Sequence, residues 1–216
     1  MISPQDIDVK TFLETWHGRP DLEPTPPPAE ALWLPPALQH WAQLESRWSK
    51  DLSTTLYVEL PWREQAEEGR AVFMRDQGGW ELAFSEDAAS HLWESSSEGV
   101  WTPISKSVSE ALLHAAFLEV VWSAPTRLDT RRFTAETVGL VTSAVEEVEF
   151  SAWNAPGSGR AFMGDGILVL VKDLALSPFP SRRQPGYFAV QAVAVDRSKL
   201  SHVEAVFRAA EEPRPR

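Results

Sequence analysis

The chain has 216 residues, 43% of them hydrophobic, with no cysteine, ten tryptophans against two tyrosines, and a formal net charge of −11. That length suits one large domain or two small units sharing a core, and the apolar share is too high for a disordered chain. So acidic a surface repels phosphate backbones and anionic lipid, which argues against nucleic-acid and membrane partners. The missing thiols exclude disulfides and thiolate metal sites.

The opening MISPQDIDVK carries acids where a secretory signal carries bases, and has no apolar stretch; the expectation is a cytoplasmic protein. Val9, Phe12, Leu13 and Trp16 follow helical spacing, with Asp6 or Asp8 as cap and Gly18 as stop. PDLEPTPPP, residues 20–28, is too rich in proline for helix or central strand and reads as a polyproline spacer between two helices. Pro35 and Pro36 then open a second helix, on which Leu38, Trp41, Leu44 and Trp48 put apolar bulk largely on one side.

From Leu56 the period shortens. LYVEL (56–60), RAVFMR (70–75) and GWELAF (79–84) read as strands, with the glycines of RDQGG turning a hairpin between the last two. In QGGWELAF, alternation puts Trp80, Leu82 and Phe84 on a core face and Glu81 with Ala83 on the outer one. WESSSEGVW (93–101) is a further strand pair or a ragged loop. Ser107 and Glu110 are spaced as a reciprocal capping box, opening a helix whose apolar residues run from Leu112 to Val121 and which Pro125 ends.

In the second half, Thr134 caps a helix to about Val145, VEFSAW (148–153) reads as a strand, and RAFMGDGILVLV (160–171) as a hairpin turning at Gly164-Asp165-Gly166. GYFAVQAVAV (186–195) is another strand, and a last helix carries Leu200, Val203, Val206 and Phe207 before a polar tail at 211–216. The fold class expected is α+β: a mixed or mostly antiparallel sheet with helices packed on it. The division expected is an N-terminal helix and linker (1–29), a core (30–126), and an α+β extension (127–210) of the same globular unit.

Catalytic patterns are weak. The five histidines are scattered, with no i,i+4 pair to hold a metal. His114 lies one turn after Glu110, which predicts a partly exposed helix pair contributing a few tenths of a kcal/mol. GSGRAFMGDG (157–166) has the glycines of a phosphate loop, but it leads into a strand and not a helix, so a hairpin is expected. No serine sits in a nucleophile elbow. No catalytic residue, cofactor or metal is expected.

The acids are better organised. Ten of them against three arginines lie between Glu59 and Glu98, so seven of the eleven net charges fall in forty residues. They are either an ordinary solvated face or, interleaved with tryptophans, a surface with aromatic anchors and an acidic rim. The candidate partner-binding residues are Trp62, Glu67, Glu68, Glu81, Glu86, Asp87, Trp93, Glu94 and Glu98.

The run LPPALQHWAQLESRW, strands reaching QGGWELAF, an acidic stretch with HLWE, and VWTPISKSVSEALLHAAFLEVVW together resemble the SUKH superfamily. The Leu34-Pro35 lead-in with Trp41, the glycine-aromatic strand Gly78 to Phe84 and the late helix Ser107 to Val121 carry the resemblance. It covers roughly residues 30 to 124, and the later WNAPGSGRAFMGDGILVLV looks like an extension of longer bacterial members that would carry it to 207. One departure is that SKDLSTTLYVEL (49–60) stands where an asparagine-glycine-glycine segment is usual. The resemblance implies a non-enzymatic α+β domain whose activity is binding. Bacterial immunity members neutralise a toxin by occupying its surface; the superfamily also includes fungal regulators of cell-wall assembly. A protein partner, such as a basic toxin domain, then fits the acidic middle region. A small-molecule or peptide-binding adaptor with a Trp-lined pocket is the alternative, and a carboxylate-based enzyme a third reading.

Overall fold

The computed structural model describes residues 1–61, 69–85, 91–96, 99–155, 157–177 and 180–211, the side chains at 130, 131 and 211 excepted. The fold is α+β, with antiparallel sheets and five α-helices among the described residues. The chain divides into two compact units. One is Ile7–Glu119 with Phe150–Pro156; the other is Met1–Asp6, Val120–Glu149 and Gly157–Arg216.

The first unit begins with α1 (Val9–His17), whose Asp8 cap accepts from the Thr11 amide at 2.7 Å and whose end is turned by Gly18 at φ 84°. Of the two cap candidates, Asp8 is the one used. The proline-rich segment that follows is tied down: Asp21 and Leu22 donate their amides to the Arg47 carbonyl, and Asp21 accepts from Ser49. Next comes α2 (Pro36–Glu45), which buries Leu38, Trp41 and Leu44, as its spacing predicts.

A five-stranded antiparallel meander fills the middle of this unit: β1 (Leu56–Val58), β2 (Arg70–Asp76), β3 (Glu81–Ser85), β4 (Leu92–Ser95) and β5 (Trp101–Ile104), in that order. The β2–β3 turn is the predicted one. Gly79 takes φ 86°, and the Asp76 carboxylate accepts from the Trp80 amide at 2.6 Å. A bulge between Val72 and Met74 lets Phe73 and Met74 both be buried, which strict alternation forbids. The edge strands are short, and β5 contains Pro103, both of which blunt pairing with another chain.

The helix α3 (Val108–Ser123) follows, and every residue from Ala111 to Val121 is buried. From Ala111 to Val121 it is apolar around its whole circumference but for His114 and Glu119. The Glu119 carboxylate accepts from the Thr54 amide and hydroxyl, the Thr55 amide and the Leu56 amide, at 2.6–3.0 Å. That one side chain fixes the entry to β1.

The second unit holds a sheet of order β6-β10-β9-β8-β7: β6 (Arg127–Phe133), β7 (Glu146–Val148), β8 (Arg160–Gly164), β9 (Ile167–Asp173) and β10 (Phe188–Ala194), all antiparallel. Ile2 bridges Val148 at the β7 edge. α4 (Ala135–Thr142), capped by Thr134, and α5 (Ser201–Glu211) complete the unit. Its core joins Phe133, Val138, Val141, Phe162, Val169, Val190, Leu200, Val203 and Phe207. The β8–β9 hairpin turns as predicted, with Gly166 at φ 68°. Two expectations differ. VEFSAW forms strand only at Val148, because the chain leaves the sheet there, and β6 has no counterpart in the sequence reading.

Glu119→Ala should lower the stability of the first unit by about 3 kcal/mol, since three amides and a hydroxyl lose their common acceptor. Urea denaturation followed by far-UV circular dichroism measures it. A loss below about 0.5 kcal/mol would show that water replaces the carboxylate.

Candidate functional site

The predicted surface divides three ways. Trp62, Glu67, Glu68, Glu86, Asp87 and Glu98 lie outside the described residues. Glu81 and Trp93 are half-buried on one face of the first sheet, as the register Ala83 opposite Trp93 and Glu81 opposite Ser95 requires. Glu94 is a correction. It is one residue from Trp93 and therefore faces the other way, where it is 4% exposed and held by Asn154. It is no rim carboxylate.

On the Trp93 face, register also places Arg70, Val72, Ala83 and Trp101. The Arg70 guanidinium lies 5.8 Å from the Trp93 ring centroid and 5.4 Å from that of Trp101, so one cation bridges two half-buried indoles. Ala83 is fully buried on the face assigned to solvent, because its neighbours cover it. Glu81 remains half-buried beside it. The result is an aromatic pair with a cation across it.

The opposite side of the unit holds a buried polar cluster that sequence reasoning missed. Lys106 is fully buried, and its ammonium donates to Glu110 Oε1 at 3.0 Å and meets His114 Nδ1 at 3.3 Å. His114 is 2% exposed and sandwiched: Phe150 stacks at 4.0 Å and 5°, Trp153 at 4.5 Å and 20°. Both rings also lie near the Lys106 ammonium, at 5.3 and 5.0 Å. Trp153 meets Trp80 edge-on at 5.4 Å.

The expected partly exposed Glu110–His114 pair is thus corrected at His114, which residues 150–155 bury, while Glu110 stays half-buried and pairs with Lys106 instead. Half of the expected capping box forms: Ser107 Oγ accepts from the Glu110 amide at 3.1 Å. The Glu110 carboxylate instead accepts from Lys106 and from the amide and hydroxyl of Ser151. The i,i+4 spacing of 106, 110 and 114 was the available signal. What it lacked was any sign that an aromatic pair forty residues on would stack there.

Burial, with the Lys106 charge adding, holds the His114 imidazole well below its ordinary value. Burial also lowers the Lys106 ammonium, against the pull of Glu110 and Glu94. Lysine, imidazole and carboxylate can together move protons, but here aromatic rings close over them. The arrangement ties chain to chain. Among the described residues, no group of three or more His, Asp or Glu side chains is placed to hold a metal ion. No helix among them is long and apolar enough to cross a membrane.

Comparison of the chain with protein-family models, with curated proteins and with solved structures yields no match in any of the three.

Elsewhere in this unit two groups on helical ends are perturbed. Burial, then the Lys50 charge, lowers His17 to about 4. Burial pushes Glu45 up to about 7, with Asp51 adding and Trp41 and Ser53 opposing. A carboxyl raised from 4.5 favours folding in its protonated form, so its contribution is fully present below pH 4.5 and lost as pH rises through 7. Glu45→Gln imitates the protonated acid. The variant should match the wild type near pH 4 and exceed its stability by on the order of 2–3 kcal/mol at pH 8. Paired denaturation curves at the two pH values measure the gap, and an equal gap at both would refute the assignment.

Proposed function

We propose that the protein is a non-enzymatic, protein-binding domain of the SUKH type that acts as a cytoplasmic immunity protein, covering the surface of a cognate basic toxin domain. The order of elements in the first unit supports this reading: α2, a meander of five strands, then α3, in the places where the motifs of the resemblance fall. The observation that carries it is the Trp93–Arg70–Trp101 patch on one sheet face, of which Arg70 and Trp93 fall within the acidic forty residues Glu59–Glu98 and Trp101 follows just after them. Aromatic and arginine side chains are the residues in which interface energy concentrates, and surrounding acids steer a basic partner and hold its register. The lysine, histidine and acids of the polar cluster are occupied in holding the fold, which leaves the sheet face as the better candidate for contact. An adaptor with a Trp-lined pocket has less support, because Trp41, Trp48, Trp80 and Trp153 are buried.

The test begins with the product of the adjacent gene, for which this reading expects a toxin-like C-terminal domain to use as the binding partner. Trp93→Ala and Trp101→Ala should each weaken binding at least tenfold by calorimetry, with unchanged circular dichroism. Lysine substitutions at Glu67, Glu68, Glu86 and Asp87 should slow association and flatten its dependence on salt. Unchanged affinity in both sets would remove this surface.

A further inference from the structure

Phe150–Pro156 belongs to the first unit, although the chain on either side of it, up to Glu149 and from Gly157, belongs to the second. Residues 149–155 form no helix or strand. What holds them is side-chain chemistry at a few points. The Ser151 amide donates to Glu110 at 2.5 Å, the Asn154 amide to Glu94 at 2.7 Å, and Phe150 and Trp153 clasp His114 between their rings. We propose that residues 150–155 are a pH-sensitive strap, closed while His114 is neutral and released when His114 takes up a proton.

The geometry supplies the reason. The Lys106 ammonium can only donate, so His114 Nδ1 is its acceptor, which leaves the imidazole proton on Nε2. Nε2 is buried and has no hydrogen-bond partner among the described residues. A second proton on the ring must go to Nδ1, where it removes the acceptor and sets one N–H donor against another. The charged group that acts on the ring is Lys106, from the loop before α3; Glu110 on α3 and Glu94 on β4 act on the Lys106 ammonium, and the strap residues 150–155 bring no charge. Both carboxylates are already engaged, Glu110 with Lys106 and Ser151, Glu94 with Asn154. Separating Phe150 from Trp153 admits water to the imidazole and relieves the conflict.

The sign follows from the freed imidazole, which takes a proton near pH 6.5 while the clasped one resists it. The closed strap is fully favoured above that pH and is lost as pH falls below it, by up to tenfold in the closed-to-open ratio for each unit. This device is separate from the proposed binding face, so either can fail alone.

Hydrogen exchange of the full chain, followed by mass spectrometry and corrected for intrinsic rate, tests it between pH 7.5 and 5.0. The expected result is a loss of protection of about thirtyfold in the 149–156 peptide, while the β3 peptide keeps its protection. In His114→Phe, which keeps a stacking ring and removes the proton site, strap protection should not vary with pH. Flat wild-type protection, a parallel loss in β3, or persisting pH dependence in the variant would each overturn the proposal. Should the variant not fold, a carbon-13 titration of the wild-type His114 ring decides. A midpoint that tracks strap opening supports the device, and an ordinary midpoint near 6.5 with the strap closed refutes it.

Discussion

The carboxylate of Glu119 gathers three backbone amides and a hydroxyl from residues 54–56, and nearer the start of the same helix Glu110 and His114 gather Lys106 and the 150–155 strap. These polar groups sit on a helix that is otherwise apolar on every side. Such a helix has no preferred face, because turning it about its axis exchanges one apolar contact for another at little cost. A buried carboxylate is different: displaced from its donors it loses several hydrogen bonds at once in a low-dielectric interior. Polar pegs therefore decide how α3 is turned, and the elements bonded to them inherit that choice.

The first sheet follows from the same constraint. Glu119 sets where β1 begins, β1 pairs with β2, and the meander runs on to β5, so the outward face bearing Arg70, Trp93 and Trp101 is positioned from the helix. Glu94 looks inward from that sheet and takes hold of the strap. One strand thus serves both sides of the unit, an aromatic anchor on one face and a buried carboxylate on the next residue. The perturbed histidine is a by-product of this packing: two aromatic rings and a lysine around an imidazole hold it neutral by burial first and by charge second.

Most elements were legible because their signals are local. Asp8 before Val9, Pro36 at the start of α2, the glycines at 78–79 and 164–166, and Ser107 ahead of α3 act through backbone geometry within four residues of themselves. β6 was not legible because RLDTRRF has too few apolar residues to show alternation; pairing with β10 makes it a strand. Of the candidate site, alternation alone separates Trp93 from Glu94, a distinction that a reading by composition overlooks. Ala83 shows the converse, since alternation assigned its face and neighbouring side chains then buried it.

What the sequence by itself determined was the α+β class, the run of helices and hairpins, and the concentration of acid and tryptophan between Glu59 and Glu98. Each is a property of near neighbours or of composition. Only the tertiary structure decided that His114 is clasped, that the Glu110 carboxylate turns away from its own cap to meet Ser151, and that Glu94 is buried. Those partners lie 36 to 60 residues away in the chain, and no local spacing encodes which distant donor or ring will arrive. The same physics that makes a helix end predictable within one turn leaves a buried charge's partner open until the chain has closed around it.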